Sequence, residues 1–161
     1  MPRRQPVDPF SGRTVLIVDD DPDYLFGAQI LLGMEGHRLF VADSSRQAIR
    51  ILGEERIDLV LVNCILPGIT GEEVVAKLRR VDPLTQIIVQ TEQGRTRPPR
   101  DVMRRHGIYG SFDKSEGPEK LLLMTALGLL AAHAVRHGRA SAPGGGAASA
   151  SIAARVAASC R

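Results

Sequence analysis

The amino-acid sequence predicts an α/β fold, a doubly wound parallel sheet of five strands with helices on both faces. Short β-branched runs alternate with helical segments five times between residues 13 and 137. Some of these runs are apolar throughout, as in strands whose two faces are both covered. The 161-residue chain, with 43% hydrophobic and 24% charged residues, has the size and composition of one globular domain.

The first strand–helix unit has clear boundaries. Residues 13–18 are an apolar run rich in β-branched side chains and form the first predicted strand. A helix follows, because Pro22 suits a first helical turn and Asp21 is a candidate N-cap. Gly36 ends this helix, and residues 37–41 form the second predicted strand.

Buried strands dominate the middle of the chain. Asp43 or Ser44 can cap the second helix, and residues 57–62 then form a continuous apolar strand. After the turn sequence LPGITG comes a third helix with apolar residues at helical spacing. Residues 86–90 form the fourth predicted strand.

The following segments are less regular. Pro98 and Pro99 should shorten the fourth helix. Residues 108–112 form a weaker fifth strand, and a final apolar helix covers residues 119–137 before Gly138. Right-handed crossovers between parallel strands place the helices on both faces of the sheet.

Composition sets the domain boundaries. Residues 1–12 are predicted to be a flexible arm, residues 13–137 the folded domain and residues 138–161 a disordered tail. The tail is rich in Gly, Ala and Ser and cannot bury enough apolar surface to fold alone. Ile152 and Val156 lie four residues apart in it, which allows a transient helix.

Cysteines and apolar runs constrain the compartment. The N-terminal residues lack the apolar core of a signal peptide, and the longest apolar run, residues 121–135, is too short to span a bilayer. Cys64 and Cys160 indicate no disulfide framework. We therefore expect a cytoplasmic protein without a membrane span. A net charge of +3 does not by itself imply nucleic acid.

Polar or charged side chains that could bind a ligand follow four of the predicted strands. They are Asp19, Asp20, Asp21, Asn63, Thr91 and Lys114. Parallel strands end at one edge of the sheet, where doubly wound folds bind their ligands. Neighbouring carboxylates favour a hard cation such as Mg²⁺, while a hydroxyl and an ammonium can hold phosphoryl oxygens.

A known family has the same segments. VLIVDDDP, DLVLVNCILPGITGEEV, IIVQT and GIYGSFDK resemble, in order and spacing, the signature segments of response-regulator receiver domains over roughly residues 13–136. The resemblance implies a flavodoxin-like sheet of order 2-1-3-4-5 and a role in bacterial two-component phosphorelay signalling. In that family a histidine kinase phosphorylates an aspartate that follows the third strand.

The resemblance also implies roles for individual residues. Asp19 and Asp20 match the acidic pair that binds Mg²⁺, and Ile65 would add a backbone carbonyl to the metal. Thr91 matches the switch hydroxyl and Lys114 the phosphate-binding lysine.

The phosphoacceptor position departs from the family. Asn63 stands there, and a carboxamide is not a nucleophile towards phosphorus. Asp19, Asp20 and Lys114 sum to −1, so Mg²⁺ binding should be weakened or absent. Lys114 can then pair with the remaining acids.

Other positions are altered together with Asn63. Ser111 occupies the aromatic-switch position, and Ser115 replaces the usual proline after the lysine. With the two prolines before the fourth helix, these changes favour a non-enzymatic pseudo-receiver that acts through protein–protein interaction.

Two alternatives stay open. One is an Mg²⁺-dependent receiver phosphorylated at an unusual acidic residue such as Asp19. The other is a phosphatase of the haloacid-dehalogenase type, because Asp19 and Asp21 resemble its opening motif. Asp23 does not match the Thr or Val that this motif requires.

Two surfaces are candidate partner sites. A basic cluster after the fourth strand suits an acidic protein better than nucleic acid. It consists of Arg95, Arg97, Arg100, Arg104 and Arg105. The last helix is apolar around most of its circumference, which favours a homodimer or partner docking through it. A kinase, a phosphorelay protein or an output protein is the expected partner.

Overall fold

The computed structural model describes residues 12–93, 95 and 97–138. Within them, five parallel strands form the main sheet: β1 (Thr14–Val18), β2 (Arg38–Ala42), β3 (Leu59–Asn63), β6 (Gln86–Thr91) and β7 (Gly110–Asp113). Two further strands, β4 (Ile65–Leu66) and β5 (Ile69–Thr70), pair as a small antiparallel hairpin. The spatial order β2-β1-β3-β6-β7 confirms the predicted doubly wound topology.

Helices occupy the crossovers between these strands. They are α1 (Pro22–Met34), α2 (Ser45–Glu54), α3 (Gly71–Val81), α4 (Arg100–Arg105) and α5 (Pro118–Gly138), with a 3₁₀ turn at Lys114–Glu116. The six-residue α4 begins directly after Pro98 and Pro99, as the two prolines predicted.

Local side-chain caps fix the helix starts. Asp21 accepts hydrogen bonds from the backbone N–H groups that open α1, and Ser44 rather than Asp43 caps α2. Thr70 and Glu73 form a capping box on α3. Gly36 has a φ of +82°, a conformation that turns the chain from α1 into β2 at little cost for glycine.

Two apolar cores flank the sheet. On one face, Val60 and Val62 pack with Val74 and Leu78 of α3. On the other face, α1 and α5 cover the sheet. Gly128 brings α5 close to the strands, because a Cβ there would lie 2.8 Å from Leu59 Cδ1.

A half-buried arginine ties the end of α3 to the segment between α4 and β7. Arg79 donates to the carbonyls of His106 at 2.7 Å, Gly107 at 2.8 Å and Asp82 at 3.4 Å, and also to that of Thr85. These four acceptors belong to loops that would otherwise hold unpaired carbonyls.

Apart from Gly12 and Gly138, the predicted arm and tail lie outside the described residues. The 21-residue α5 is long and apolar enough to cross a membrane by length and composition alone. The apolar run at residues 121–135, from which no membrane span was predicted, is shorter than this helix. Its residues Leu121, Met124 and Leu129 are buried in the core against the sheet, as in a core helix of a globular domain.

Candidate functional site

The carboxyl ends of four strands converge on one cluster of polar side chains. Asp19 follows β1, Asn63 ends β3, Thr91 ends β6 and Lys114 follows β7. Asn63 lies beside Gln90 in the β3–β6 pairing, and Thr91 lies beside Asp113 in the β6–β7 pairing. The sheet therefore gathers residues that are widely separated along the chain.

The centre of the cluster is an ion pair between Asp19 and Lys114. Asp19 is fully buried, and its Oδ2 contacts Lys114 Nζ while its Oδ1 accepts the Asp21 N–H at 3.0 Å. Burial raises the pKa of Asp19 above its ordinary value, although Lys114 and the Asp21 N–H oppose that shift. The lysine side chain is only 12% exposed, so water screens this pair weakly.

Asn63 joins the cluster through the other acid. The side chain is 1% exposed, and its Nδ2 donates to Asp20 Oδ1 at 3.4 Å. Its Oδ1 has no hydrogen-bond partner in the described part of the chain and is also buried. An amide nitrogen suits the neighbouring carboxylate, whereas an aspartate at position 63 would place two carboxylates together.

Three residues that the sequence did not single out complete the surroundings of Lys114. Its Nζ lies 4.3 Å from the centre of the Tyr24 ring and 3.7 Å from Glu92 Oε1. The Tyr24 hydroxyl donates to Oε1 of the fully buried Gln90. Burial and the charge of Asp19 raise the pKa of Tyr24, so this hydroxyl stays protonated. Of these three residues, Gln90 could have been noticed in the sequence, because it is a polar residue directly after the apolar residues 87–89 of β6.

The remaining site residues lie around this centre. Thr91 is buried and its hydroxyl donates to the Phe112 carbonyl at 3.3 Å. Ser111 is half-buried on β7. Ile65 is 45% exposed on the hairpin strand β4 that directly follows the end of β3.

The donor set fits Mg²⁺ only in part. Across the described residues, no group of three or more His, Cys, Asp or Glu side chains could hold a metal ion. Asp19 is already paired with Lys114, and Asp20 with the Asn63 amide. The unpartnered Asn63 Oδ1 is an oxygen ligand of the kind Mg²⁺ accepts, but it brings no charge.

The predicted arginine cluster is partly neutralised. Arg97 pairs with Glu116 at 3.5 Å, and Arg105 lies 3.6 Å from Glu72. The remaining members, Arg95, Arg100 and Arg104, are exposed and show no ion pair with the described residues. Arg95 and Arg97 also line a groove of about 500 Å³ between the hairpin and α4.

Apolar side chains are exposed on two helices. On α5, Leu123 is 48% and Leu130 is 37% exposed. The larger exposure lies on α1, where Phe26 is 66%, Ile30 49% and Met34 79% exposed, which the sequence did not predict. A homodimer through α5 remains a prediction.

Comparison with known proteins extends the resemblance seen in the sequence. The family model described as response regulator receiver domain matches residues 15–126. Sporulation initiation phosphotransferase F of Bacillus subtilis is 36% identical over 84 residues, which cover 50% of this chain and 64% of that protein. Transcriptional regulatory protein AfsQ1 of Streptomyces coelicolor is 34% identical over 76 residues, 47% of this chain and 34% of that protein. The chain thus spans less than two thirds of the length of these relatives.

Solved structures with low sequence identity share the fold. A CheY-like response regulator receiver domain protein from Methanospirillum hungatei superimposes with a TM-score of 0.69 at 24% identity, covering 76% of this chain and 97% of that one. The signal receiver domain of an HD domain-containing protein from Pseudomonas fluorescens gives a TM-score of 0.70 at 24% identity, covering 84% of this chain and 98% of that one.

Proposed function

Because this chain belongs to the response-regulator receiver family and is a receiver domain of two-component signalling, we propose that it works as a pseudo-receiver. In this role it signals through protein–protein contacts and carries no phosphoryl group at the usual position. The observation that carries the proposal is Asn63, which occupies the buried end of β3 between Asp20 and the rest of the cluster.

The chemistry of position 63 is the first support. Transfer of a phosphoryl group needs an oxygen nucleophile, and the carboxamide oxygen of Asn63 is too weak a nucleophile to serve. No aspartyl phosphate would form there. The neighbouring Asp19 is a poor substitute acceptor, because its carboxylate is fully buried and paired with Lys114.

The partners of the other site residues are the second support. Lys114 is held by Asp19, Glu92 and the Tyr24 ring, and the Thr91 hydroxyl is bonded to Phe112. The groups that would bind phosphoryl oxygens in this family are therefore satisfied within the protein. The family match also speaks against the alternative of a haloacid-dehalogenase-type phosphatase.

We propose only weak Mg²⁺ binding. Asp19 and Asp20 would hold the ion, with the Ile65 carbonyl and Asn63 Oδ1 as neutral ligands. A bound ion would supply positive charge to phosphoryl oxygens in this family. In this chain it would first have to compete with Lys114 for Asp19, which lowers its affinity.

Receiver domains act through kinases and other proteins, and the surfaces of this chain suit that role. We propose that the unpaired members of the arginine cluster, Arg95, Arg100 and Arg104, contact an acidic protein partner. The exposed Leu123 and Leu130 support the prediction of self-association through α5. Such a role requires no catalytic activity and is compatible with a cytoplasmic location.

Intact-mass measurement tests the proposal. Wild type, Asn63→Asp and Asn63→Ala are each incubated with Mg²⁺ and acetyl phosphate, and half of each sample is then treated with hydroxylamine. We expect a hydroxylamine-labile phosphoryl adduct only on Asn63→Asp, because only this variant restores the nucleophile.

The matched variants separate the alternatives. A labile adduct on wild type that persists in Asn63→Ala would show an unusual acceptor and refute the pseudo-receiver. Hydrolysis of small phosphate esters by wild type would instead favour an enzyme. Absence of an adduct on all three proteins would show that the altered surroundings, and not Asn63 alone, block transfer.

A further inference from the structure

The outward face of α1 is an exposed apolar stripe. Phe26, Ile30 and Met34 follow one another at intervals of four residues, so they share one side of the helix. Asp23 is the only charged residue among the 13 residues of α1. Helices that are apolar on all sides are normally covered on all sides. Nothing in the described part of the chain covers this one.

The rim of the stripe is acidic. Residues 20–36 contain four Asp or Glu residues and no Lys or Arg, although the whole chain has a net charge of +3. Asp21 and Asp23 are exposed at the N-terminal end of α1, and Glu35 is exposed beyond its C-terminal end. The surface therefore suits an occupant with apolar residues at helical spacing and basic residues beside them.

We propose that a segment of this same chain, residues 152–160, covers the α1 stripe as a short helix. Ile152, Val156 and Cys160 repeat at the same interval of four residues as the α1 stripe. Most of the residues between them are alanine, which favours a helix and lets it approach closely. Residues 139–161 contain Arg139, Arg155 and Arg161 and no acidic residue.

The described structure ends close to the start of this surface. Arg13 Nη2 lies 2.8 Å from His133 Nδ1 in the last turns of α5, and Gly12 N–H donates to the Gly36 carbonyl at 3.2 Å. These contacts bring the end of α5 beside the C-terminal end of α1. Both helices also cover the same face of the sheet. The segment that follows Gly138 therefore leaves α5 at the same end of the sheet as Met34, and on the same face.

The intervening residues have a suitable length. Residues 139–151 include Pro143 and three consecutive glycines, and a linker of this length and composition has an end-to-end distance of roughly 20 Å. Such a linker gives an effective concentration of about 1 mM, so weak docking is enough to populate the covered state. Because the segment approaches from the Met34 end, the two helices should run antiparallel. Ile152 then lies near Met34 and Cys160 near Phe26, with Arg161 beside Asp23.

Disulfide trapping in the full-length chain tests both the docking and its direction. In a Cys64→Ser background, Phe26→Cys and Met34→Cys are compared, which leaves Cys160 as the partner thiol in each. Both positions are exposed, so the variants should fold like wild type. We expect the intrachain disulfide to form at least about tenfold faster with Phe26→Cys, and Val156→Asp to slow it several-fold.

Three results would overturn the proposal. Equal rates at the two positions, unaffected by Val156→Asp, would mean that the segment does not dock. Faster trapping at Met34→Cys would exclude the antiparallel arrangement. Disulfides formed mainly between chains would show that a second copy covers α1. None of these results depends on whether position 63 accepts a phosphoryl group, so failure here leaves the proposed function intact.

Discussion

Replacement of Lys114 by methionine tests whether the Asp19–Lys114 pair is a buried ion pair. Methionine keeps most of the apolar volume of the lysine stem but removes the ammonium. Asp19, which is fully buried, would then hold its charge without a counter-ion. Removing one partner of a buried pair typically costs about 3–5 kcal/mol, because the remaining charge is left desolvated. We expect the Lys114→Met variant to lose that amount of unfolding free energy near neutral pH.

The loss should depend on pH with a defined sign. The folded-state pKa of Asp19 is already above its ordinary value of 3.8 in wild type. In the window between the unfolded and folded pKa values, the folded state binds more protons, so this group's contribution to stability falls as pH rises. Without Lys114 the folded-state pKa of Asp19 rises further, so the pH range between the two pKa values extends to higher pH. The difference between variant and wild type should therefore be small near pH 4 and grow towards about pH 8.

Urea denaturation followed by far-UV circular dichroism measures the effect, since the chain has no tryptophan. With an m-value of about 2 kcal/mol/M, the midpoint should fall by roughly 1.5–2.5 M near neutral pH. Asp19→Asn combined with Lys114→Met removes both charges and should recover most of the loss. Glu92→Gln serves as a second control, because an exposed partner contributes about 1 kcal/mol or less. A loss below about 1 kcal/mol that does not change with pH would refute the buried ion pair.

Three further predictions concern single positions. Asn63→Asp should lower the unfolding free energy by about 1–3 kcal/mol without Mg²⁺, because it buries a carboxylate beside Asp20. Mg²⁺ should restore the stability of this variant by binding its folded state. An Mg²⁺ titration followed by thermal unfolding checks both effects. Arg79→Lys should lower the unfolding free energy measured by urea denaturation by about 2–3 kcal/mol, because an ammonium cannot reach four separate carbonyls. An unchanged unfolding free energy would show that only the charge at this position matters. Gly71→Ala should destabilise the folded protein, because the added Cβ would lie 2.5 Å from the Cys64 carbonyl oxygen. Gly27→Ala has no heavy atom within 4 Å of the added Cβ and should stabilise α1 by about 0.5–1 kcal/mol. The melting temperatures of the two variants give the comparison.

The sheet and the positions of the site residues could be predicted because both follow from local patterns. Short apolar runs rich in β-branched residues indicate buried strands, and parallel strands must end at one edge. Asp19, Asn63, Thr91 and Lys114 each stand at such an end. The observed strand boundaries differ from the predicted ones by one or two residues, as at the second strand. Hydrogen bonds between neighbouring backbones, and not composition, decide where strand pairing starts.

Contacts between distant side chains could not be predicted. The Tyr24–Gln90 hydrogen bond joins residues 66 positions apart, the first from the first turn of α1 and the second from the end of β6. Similarly, the exposure of Phe26 and Met34 was not predicted from the sequence. A helix that is apolar on all sides has no preferred buried face, so the sheet decides which residues are covered.

The contacts around Lys114 bear on how the proposed pseudo-receiver could still switch between two conformations. A phosphoryl group at position 63 would compete for Lys114 against Asp19, and for the Thr91 hydroxyl against Phe112. If Asn63 blocks phosphorylation as proposed, that competitor does not form, and the free energy for any rearrangement then comes from a binding partner. A partner shifts the equilibrium only by its difference in affinity for the two states, about 1.4 kcal/mol for each tenfold preference. If leaving Asp19 without its counter-ion costs the value of about 3–5 kcal/mol expected above, a partner that separates it from Lys114 needs a preference of roughly two to four powers of ten. A partner that leaves this pair intact and binds an outer surface avoids that cost, which favours recognition through the exposed arginines or helices over recognition through the site itself.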